Sequence, residues 1–203
     1  MSVYTLISGS TRPNSQSSKV AGYIASVLAA LEADATVEIV DLAKVPLPGW
    51  HEGFWAQGPP PDENWAQVSA LLGVSDGLVV VAPEWNGMTP PALMNVFLLA
   101  GRGELAHKPA LIVTVSAGSG GAYPVVELRT FGYKNTQIVY LPDHVIVRGA
   151  RHVLNGPEPE SDADGALRER IAYSVDVLRV YTEALGFVRR SGVVQRERYP
   201  NGM

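Results

Sequence analysis

Residues 77–95 read GLVVVAPEWNGMTPPALMN, and this stretch indicates the fold class more clearly than any other part of the chain. Residues 77–82 carry no polar side chain, which is typical of a strand buried on both faces of a parallel sheet. A loop follows, and Pro90 and Pro91 after a candidate cap at Thr89 predict a helix start, because the first helical position needs no N–H. A buried strand that leads through a loop into a helix is the repeating unit of α/β folds.

The same alternation extends in both directions along the chain. It predicts strands at residues 3–7, 36–40, 77–82, 110–116 and 137–141, and helices at residues 17–32, 64–72, 89–99, 121–130 and from 167 to about 186. Five strands suit a doubly wound parallel sheet of flavodoxin-like order 2-1-3-4-5, with helices on both faces, better than the six-stranded dinucleotide fold. Irregular loops are expected at residues 46–61 and 148–164.

The predicted organisation is one flavodoxin-like domain over residues 1–186. It is followed by an arginine-rich segment, residues 187–203, which is either a solvated tail or an arm that packs on another subunit. A chain of 203 residues is long enough to bury a sizeable core as one domain.

Composition excludes several classes of function. The chain has no cysteine, which rules out disulfides, thiolate metal sites and cysteine nucleophiles, and its four histidines show no metal-ligand spacing. A net charge of −4 gives no electrostatic footprint for nucleic acid, and no apolar run approaches the roughly 20 residues of a membrane helix. The first residues carry no charged leader, so we expect a cytoplasmic protein without nucleic-acid or membrane partners.

The loop after the first strand reads GSTRPNSQSS, residues 9–18, and favours an anion. It combines hydroxyl groups and one arginine with a helix start, whose unpaired N–H groups carry partial positive charge. The GxxxxGK[ST] pattern is absent, which argues against ATP or GTP turnover. A serine-rich turn that only caps a helix is the alternative interpretation.

Two further loops follow the third and fourth strands, at the edge where doubly wound sheets bind ligands. In PEWNGMTPPALMN, residues 83–95, an Asn-Gly turn exposes backbone amides and Trp85 offers a flat surface to a planar ring. In SAGSGGAYPVVELR, residues 116–129, three glycines allow close approach of the backbone to a ligand. A helix cap and a flexible glycine loop are the structural alternatives.

Together these loops resemble those of the NADPH-dependent FMN reductase family, flavodoxin-like enzymes that include quinone reductases and azoreductases. GSTRPNSQS is similar to the family's GSxRxxSxN phosphate loop, and PEWNGMTPPALMN to its PEYNGSxPGxLKN segment. SAGSGGAYPVVELR is similar to the family's S-x-G-x-x-GG followed by LR. The resemblance covers roughly residues 1–185, with the three motifs in the right order and at the right separations.

The resemblance implies FMN as cofactor, NADPH or NADH as electron donor, and a flavin, quinone or azo-type small molecule as acceptor. It also implies ping-pong hydride transfer through the flavin, a homodimer or homotetramer, and no catalytic side chain, because the flavin carries the chemistry. The implied FMN-binding residues are Ser10, Arg12, Ser15 and Ser17 for the phosphate, Pro83, Glu84, Trp85, Asn86 and Gly87 for the ribityl chain and one side of the ring, and Ser116, Gly118, Gly120 and Gly121 for the pyrimidine end.

Departures from the family pattern keep other functions open. They are Ser17 in place of Asn, Trp85 in place of Tyr, Met88 in place of a small polar residue, Pro91 in place of Gly and Met94 in place of Lys. The alternatives are a non-enzymatic flavodoxin-like electron carrier or FMN-binding module, and a diverged member that has lost flavin.

Overall fold

The computed structural model describes residues 1–56 and 62–202 and contains the expected parallel sheet. Its order is β2-β1-β3-β4-β5, so the predicted order 2-1-3-4-5 is confirmed. Both central strands, β3 and β4, are buried along their whole length, as their uninterrupted apolar sequences predict. The strands are β1 (Val3–Ser8), β2 (Thr36–Asp41), β3 (Gly77–Pro83), β4 (Pro109–Val115) and β5 (Val139–Val147).

Helices cover both faces of this sheet. The described helices are α1 (Gln16–Leu31), α2 (Glu63–Val74), α3 (Pro91–Leu99), α4 (Ala122–Thr130), α5 (Tyr133–Thr136) and α6 (Asp162–Arg190). Helices α1 and α6 pack on one face through Ile24, Leu28 and Ile171. On the other face, α2, α3 and α4 pack around Trp65 and Val96. Two short 3₁₀ turns lie at Glu52–Trp55 and Ala150–His152.

The fifth strand is longer than predicted, since β5 continues past residue 141 to Val147. The added part begins at Pro142, which has no N–H and cannot donate to a ladder. The ladder accommodates it with a bulge: Ala110 pairs with Tyr140, and Ile112 pairs with His144. The carboxyl end of β5 therefore lies level with that of β4.

Both ends of α6 and the N-cap of α3 also differ from the expectation. Helix α6 begins at Asp162, where Ser161 caps it by accepting from the Asp164 N–H at 3.2 Å, and it continues through Gly186 to Arg190. Helix α3 has Pro90 rather than Thr89 as its N-cap. The N–H of Thr89 instead donates to Glu127 of α4 at 2.6 Å, so a tertiary contact fixes this residue.

The arginine-rich C-terminal segment lies against its own chain beyond the end of α6. Arg196 donates to the Gln137 side chain at 3.2 Å and to the Arg102 carbonyl at 3.0 Å, and the Gly202 N–H donates to Lys134 at 3.1 Å. Residues 57–61 of the predicted loop 46–61 lie outside the described residues, as does residue 203 at the end of the segment 187–203. Among the helices that are described, none is both long and apolar enough to cross a bilayer.

Candidate functional site

A cavity of about 230 Å³ lies at the carboxyl ends of β1, β3 and β4, where the strand order reverses. It brings together residues from the three loops that the sequence singled out. Seven of the predicted ligand-binding residues line it, namely Ser10, Arg12, Ser15, Ser17, Pro83, Glu84 and Trp85. Its other lining residues are Asn14, Gln16, Val115, Ala117 and Arg151.

The first loop is shaped as a helix start that faces this cavity. Ser15 is the N-cap of α1, and its hydroxyl accepts from the Ser18 N–H at 3.1 Å. Ser10 and Ser17 are each about 1% exposed, and the Ser10 hydroxyl accepts from the Arg12 N–H at 3.2 Å. The N–H groups of the first helical turn and these hydroxyls form a set of hydrogen-bond donors suited to an anion.

Two arginines add charge that the protein does not neutralise. Within residues 1–56 and 62–202, the guanidinium groups of Arg12 and Arg151 have no hydrogen-bond or ion-pair partner. The side-chain oxygen Oε1 of Gln16 is also buried without a partner among the described residues. Buried polar atoms are normally hydrogen-bonded, so this oxygen indicates a polar ligand, and the two exposed arginines at the cavity supply positive charge that an anion can use.

The second loop is a tight hairpin turn. Trp85 and Met88 exchange two backbone hydrogen bonds of 2.9 Å each, and Asn86 and Gly87 both have positive φ, 51° and 77°. This is the backbone conformation that Asn-Gly sequences favour. Trp85 is half-buried and lines the cavity. Asn86 and Gly87 are exposed and are not among the described residues that line it.

Glu84 connects the second loop to the third. Its Oε2 accepts from the Gly121 N–H at 2.6 Å, and Gly121 has φ of 102°, where residues other than glycine are strained. A Cβ atom at Gly120 would collide with the Glu84 carboxylate. Gly120 and Gly121 are thus favoured by close packing and, at Gly121, by positive φ, whereas a Cβ atom at Gly118 would meet nothing within 4 Å.

The third loop uses part of its own hydrogen-bonding capacity. The Gly118 N–H donates to the Ser116 hydroxyl at 3.3 Å, and Arg148 donates to the carbonyls of Ser119 and Gly120 at 2.7 and 3.0 Å. Among the described residues, Ser116 and the predicted glycines of this loop are not part of the cavity lining; Val115 and Ala117 are. The amides of Gly118 and Gly121 are therefore engaged within the protein.

Arg151 is the charged lining residue that sequence reasoning missed, and Gln16 is a polar one. Arg151 follows β5, which is the edge strand furthest from β2, and the sequence identified its surroundings only as a polar loop. The structure brings it to the cavity because the segment after β5 turns back across the end of β4, with the Ala150 N–H donating to the Ser116 carbonyl at 3.1 Å.

The fold and the cavity agree with comparisons to known proteins. A family model described as NADPH-dependent FMN reductase matches residues 1–152. The chain belongs to this family. A quinone reductase from Pseudomonas putida is 30% identical over 122 residues, which are 58% of this chain and 62% of that relative. The matched region thus spans less than two thirds of the relative's length.

Solved structures show the same architecture. A flavoenzyme NAD(P)H:(acceptor) oxidoreductase from Paracoccus denitrificans has a TM-score of 0.69 at 20% identity, covering 91% of this chain and 98% of that one. An azoreductase from Bacillus anthracis has a TM-score of 0.56 at 15% identity, covering 91% and 99%. At such identities the likeness establishes the fold, which confirms the flavodoxin-like class.

Membership of the FMN reductase family supports an oxidoreductase that uses FMN and NAD(P)H. The cavity fits such a cofactor in its chemistry. Its unpaired arginines and buried serines suit a phosphate monoester, the buried Gln16 oxygen can accept from a hydroxyl, and Trp85 offers an aromatic surface. The role of each predicted binding residue stays a prediction.

Proposed function

We propose that this protein is an FMN-dependent NAD(P)H oxidoreductase that reduces flavin, quinone or azo-type acceptors. The observation that carries the proposal is the convergence of the predicted loops on one cavity, in which two unpaired guanidinium groups accompany the N-terminus of α1. Its membership of the FMN reductase family and the quinone reductases among its relatives point the same way.

The first loop would hold the FMN phosphate. Ser10, Ser15 and Ser17 would supply hydroxyl groups, the start of α1 N–H groups, and Arg12 a guanidinium group. Because this cavity is small and polar, it suits the phosphate end of the cofactor better than the ring.

The other two loops would hold the ribityl chain and the ring edges, with Pro83, Glu84, Trp85, Asn86 and Gly87 on one side. Ser116, Gly118, Gly120 and Gly121 are the predicted contacts for the pyrimidine end. The Glu84 carboxylate bonds to the Gly121 N–H and so holds the third loop against the second. This contact sets the distance between the two sets of predicted FMN contacts. FMN held there would supply the redox chemistry between NAD(P)H and the acceptor.

Kinetics by a ping-pong scheme are expected, because donor and acceptor would use the same bound cofactor in turn. Initial rates measured at several fixed acceptor concentrations should give parallel double-reciprocal lines against NAD(P)H. Intersecting lines, which require both substrates on the enzyme at once, would contradict this scheme.

The first test is an absorbance spectrum of the purified protein in the near-ultraviolet and visible range, before and after anaerobic addition of NADPH or NADH. Flavin bands that bleach support the proposal. Flavin bands that persist with both donors point to an electron carrier or FMN-binding module. A colourless protein that takes up no added FMN would contradict flavin binding and indicate a diverged member.

We also propose that the protein assembles as a homodimer or homotetramer through the outer faces of α3 and α4. Tyr123 and Val126 of α4 are 69% and 64% exposed, and Leu98 of α3 and Phe131 are 59% and 54% exposed. Exposed apolar side chains of this size on α3, on α4 and at the end of α4 favour association with a second copy. Light scattering should give a mass of two or four chains, and Val126→Glu should lower it. The cytoplasmic location expected from the sequence stays a prediction.

A further inference from the structure

We propose that Arg151 is a second phosphate-binding residue of the flavin site and that Lys19 is the positioning residue that holds it there. This inference rests on the proposed function, since it concerns the phosphate of the same cofactor. Both residues lie outside the three loops recognised in the sequence: Arg151 is on the segment that follows the fifth strand, and Lys19 is on α1.

The first observation is that the charge of Arg151 is unused. Arg151 lines the cavity together with Arg12, and neither guanidinium has a partner within residues 1–56 and 62–202. Several other arginines bond within the chain. The neighbouring Arg148 donates to two carbonyls of the third loop, and Arg168 pairs with Asp164 at 3.2 Å. A guanidinium left without a partner beside a polar cavity is suited to an anionic ligand.

The second observation is that Lys19 ties the Arg151 segment to α1. Its ammonium donates to the carbonyls of Ala150 and Val153 at 2.7 and 2.8 Å and to the Asn155 side chain at 2.8 Å. These acceptors lie on both sides of Arg151 in sequence. Because Lys19 belongs to the helix whose N-terminus faces the cavity, it couples the position of Arg151 to that of the phosphate loop.

The segment is fixed from two further directions. The Gly149 N–H donates to the Gly118 carbonyl of the third loop at 2.9 Å. On the other side, the buried carboxylate of Asp164 accepts from the Leu154 N–H at 2.9 Å and from the Glu160 N–H at 3.1 Å. Arg151 is therefore carried on a braced segment, although its own side chain is exposed.

Two arginines on different loops suit a dianionic phosphate monoester. Each contributes a charge-assisted interaction that a neutral hydroxyl cannot match. Riboflavin differs from FMN only in lacking that phosphate. Arg151 and Lys19 should therefore control the preference for FMN over riboflavin and leave the affinity for riboflavin unchanged.

The test is a fluorescence titration of the flavin-free protein with FMN and, separately, with riboflavin. Arg151→Ala should weaken FMN binding about tenfold or more, the effect of losing a hydrogen bond between charged groups, while riboflavin binding stays within about twofold. Arg151→Lys should recover part of the loss. Arg179→Ala, which also removes one exposed positive charge, serves as the control and should change neither affinity.

The role of Lys19 is tested by a double-mutant cycle. Lys19→Met should weaken FMN binding in the wild-type background and have little further effect in the Arg151→Ala background, because both changes remove the same contact. Unfolding by urea of each variant shows whether the fold is retained. Equal losses for FMN and riboflavin, or independent effects of the two substitutions, would overturn the positioning role.

The outcomes separate this inference from the function on which it rests. If the wild-type protein binds FMN and Arg151→Ala binds it equally well, Arg151 holds no phosphate and the inference is wrong, while the proposed function stands. If the wild-type protein binds no FMN, the proposed function fails first.

Discussion

The two edges of the sheet both carry cationic cavities, and they use their charges differently. At the carboxyl edge, the cavity of about 230 Å³ contains Arg12 and Arg151. At the amino edge, a groove of about 700 Å³ contains Lys108, Arg189 and Arg196, and we call it the amino-edge groove. Its remaining lining consists of residues 73–76, 103, 106, 107, 194, 195, 197 and 198.

Three cations of the amino-edge groove are hydrogen-bonded or ion-paired within the protein, and the fourth, Arg198, lies 5.1 Å from the centre of the Tyr199 ring. The Lys108 ammonium donates to the carbonyls of Leu72 and Gly73 at 2.5 and 2.7 Å, at the end of α2. Arg189 pairs with Asp76 at 2.9 Å, and Arg196 holds the C-terminal segment in place. The larger cavity thus has charges that maintain structure, whereas the smaller one has charges without partners. Charges without partners, rather than cavity size, are the reason for proposing the smaller cavity as the binding site.

Arg12→Ala gives the largest expected effect and tests the carboxyl-edge side of this comparison. Loss of a charge-assisted contact should weaken FMN binding by about 1.5–3 kcal/mol, or roughly 10- to 150-fold. The stability of the flavin-free protein should change by less than about 0.5 kcal/mol, because Arg12 is exposed and has no described partner. Flavin titration and urea unfolding measure the two quantities, and unchanged FMN affinity would contradict the role of Arg12.

The amino-edge side of the comparison can be tested through the pH dependence of the free energy of unfolding, to which Lys108 contributes. Burial, with a smaller contribution from nearby Arg189, lowers the pKa of Lys108 from 10.5 to about 8, and the side chain is largely inaccessible. Between about pH 8 and pH 10.5 the unfolded chain holds a proton that the folded protein has lost, so stability should rise with pH in this window. The expected gain is of the order of 2 kcal/mol.

The comparison variant for this pH effect is Lys108→Met, which keeps the aliphatic stem and removes the titrating group. The free energy of unfolding of the wild-type protein minus that of Lys108→Met should increase from about pH 8 to pH 10.5, because other titrating groups cancel in the difference. A difference that stays constant over this window would show that burial does not perturb Lys108. FMN affinity should be the same in both proteins at neutral pH.

Arg189→Ala gives the smallest expected effect. Its ion pair with Asp76 is partly exposed, so its loss, together with a longer bond to the His107 carbonyl, should destabilise the protein by about 1 kcal/mol. FMN affinity should stay within about twofold of wild type, because the groove lies at the opposite edge of the sheet. If Arg189→Ala lost much of its FMN affinity and none of its stability, Arg189 would act on the flavin, and the contrast between structural charges at the amino edge and binding charges at the carboxyl edge would be wrong.

The sequence was sufficient for the order of the elements and for the three loops. Runs such as residues 77–82 are apolar throughout because central parallel strands are buried on both faces, and the loops after them have residue types that suit turns and helix starts. These are local patterns, so they can be read without knowing what they pack against. The predicted order and most element boundaries hold for this reason.

Tertiary structure decided what depends on contacts between distant residues. The length of β5 depends on a bulge that its pairing with β4 permits, and the role of Glu84 depends on the Gly121 amide, 37 residues away. Arg151 reaches the cavity because the chain turns back across the end of the sheet after β5. Lys19 holds this segment by bonding to the carbonyl of Ala150, which is 131 residues away in sequence. No local pattern encodes such contacts, because their partners are chosen when the strands pair and the helices pack.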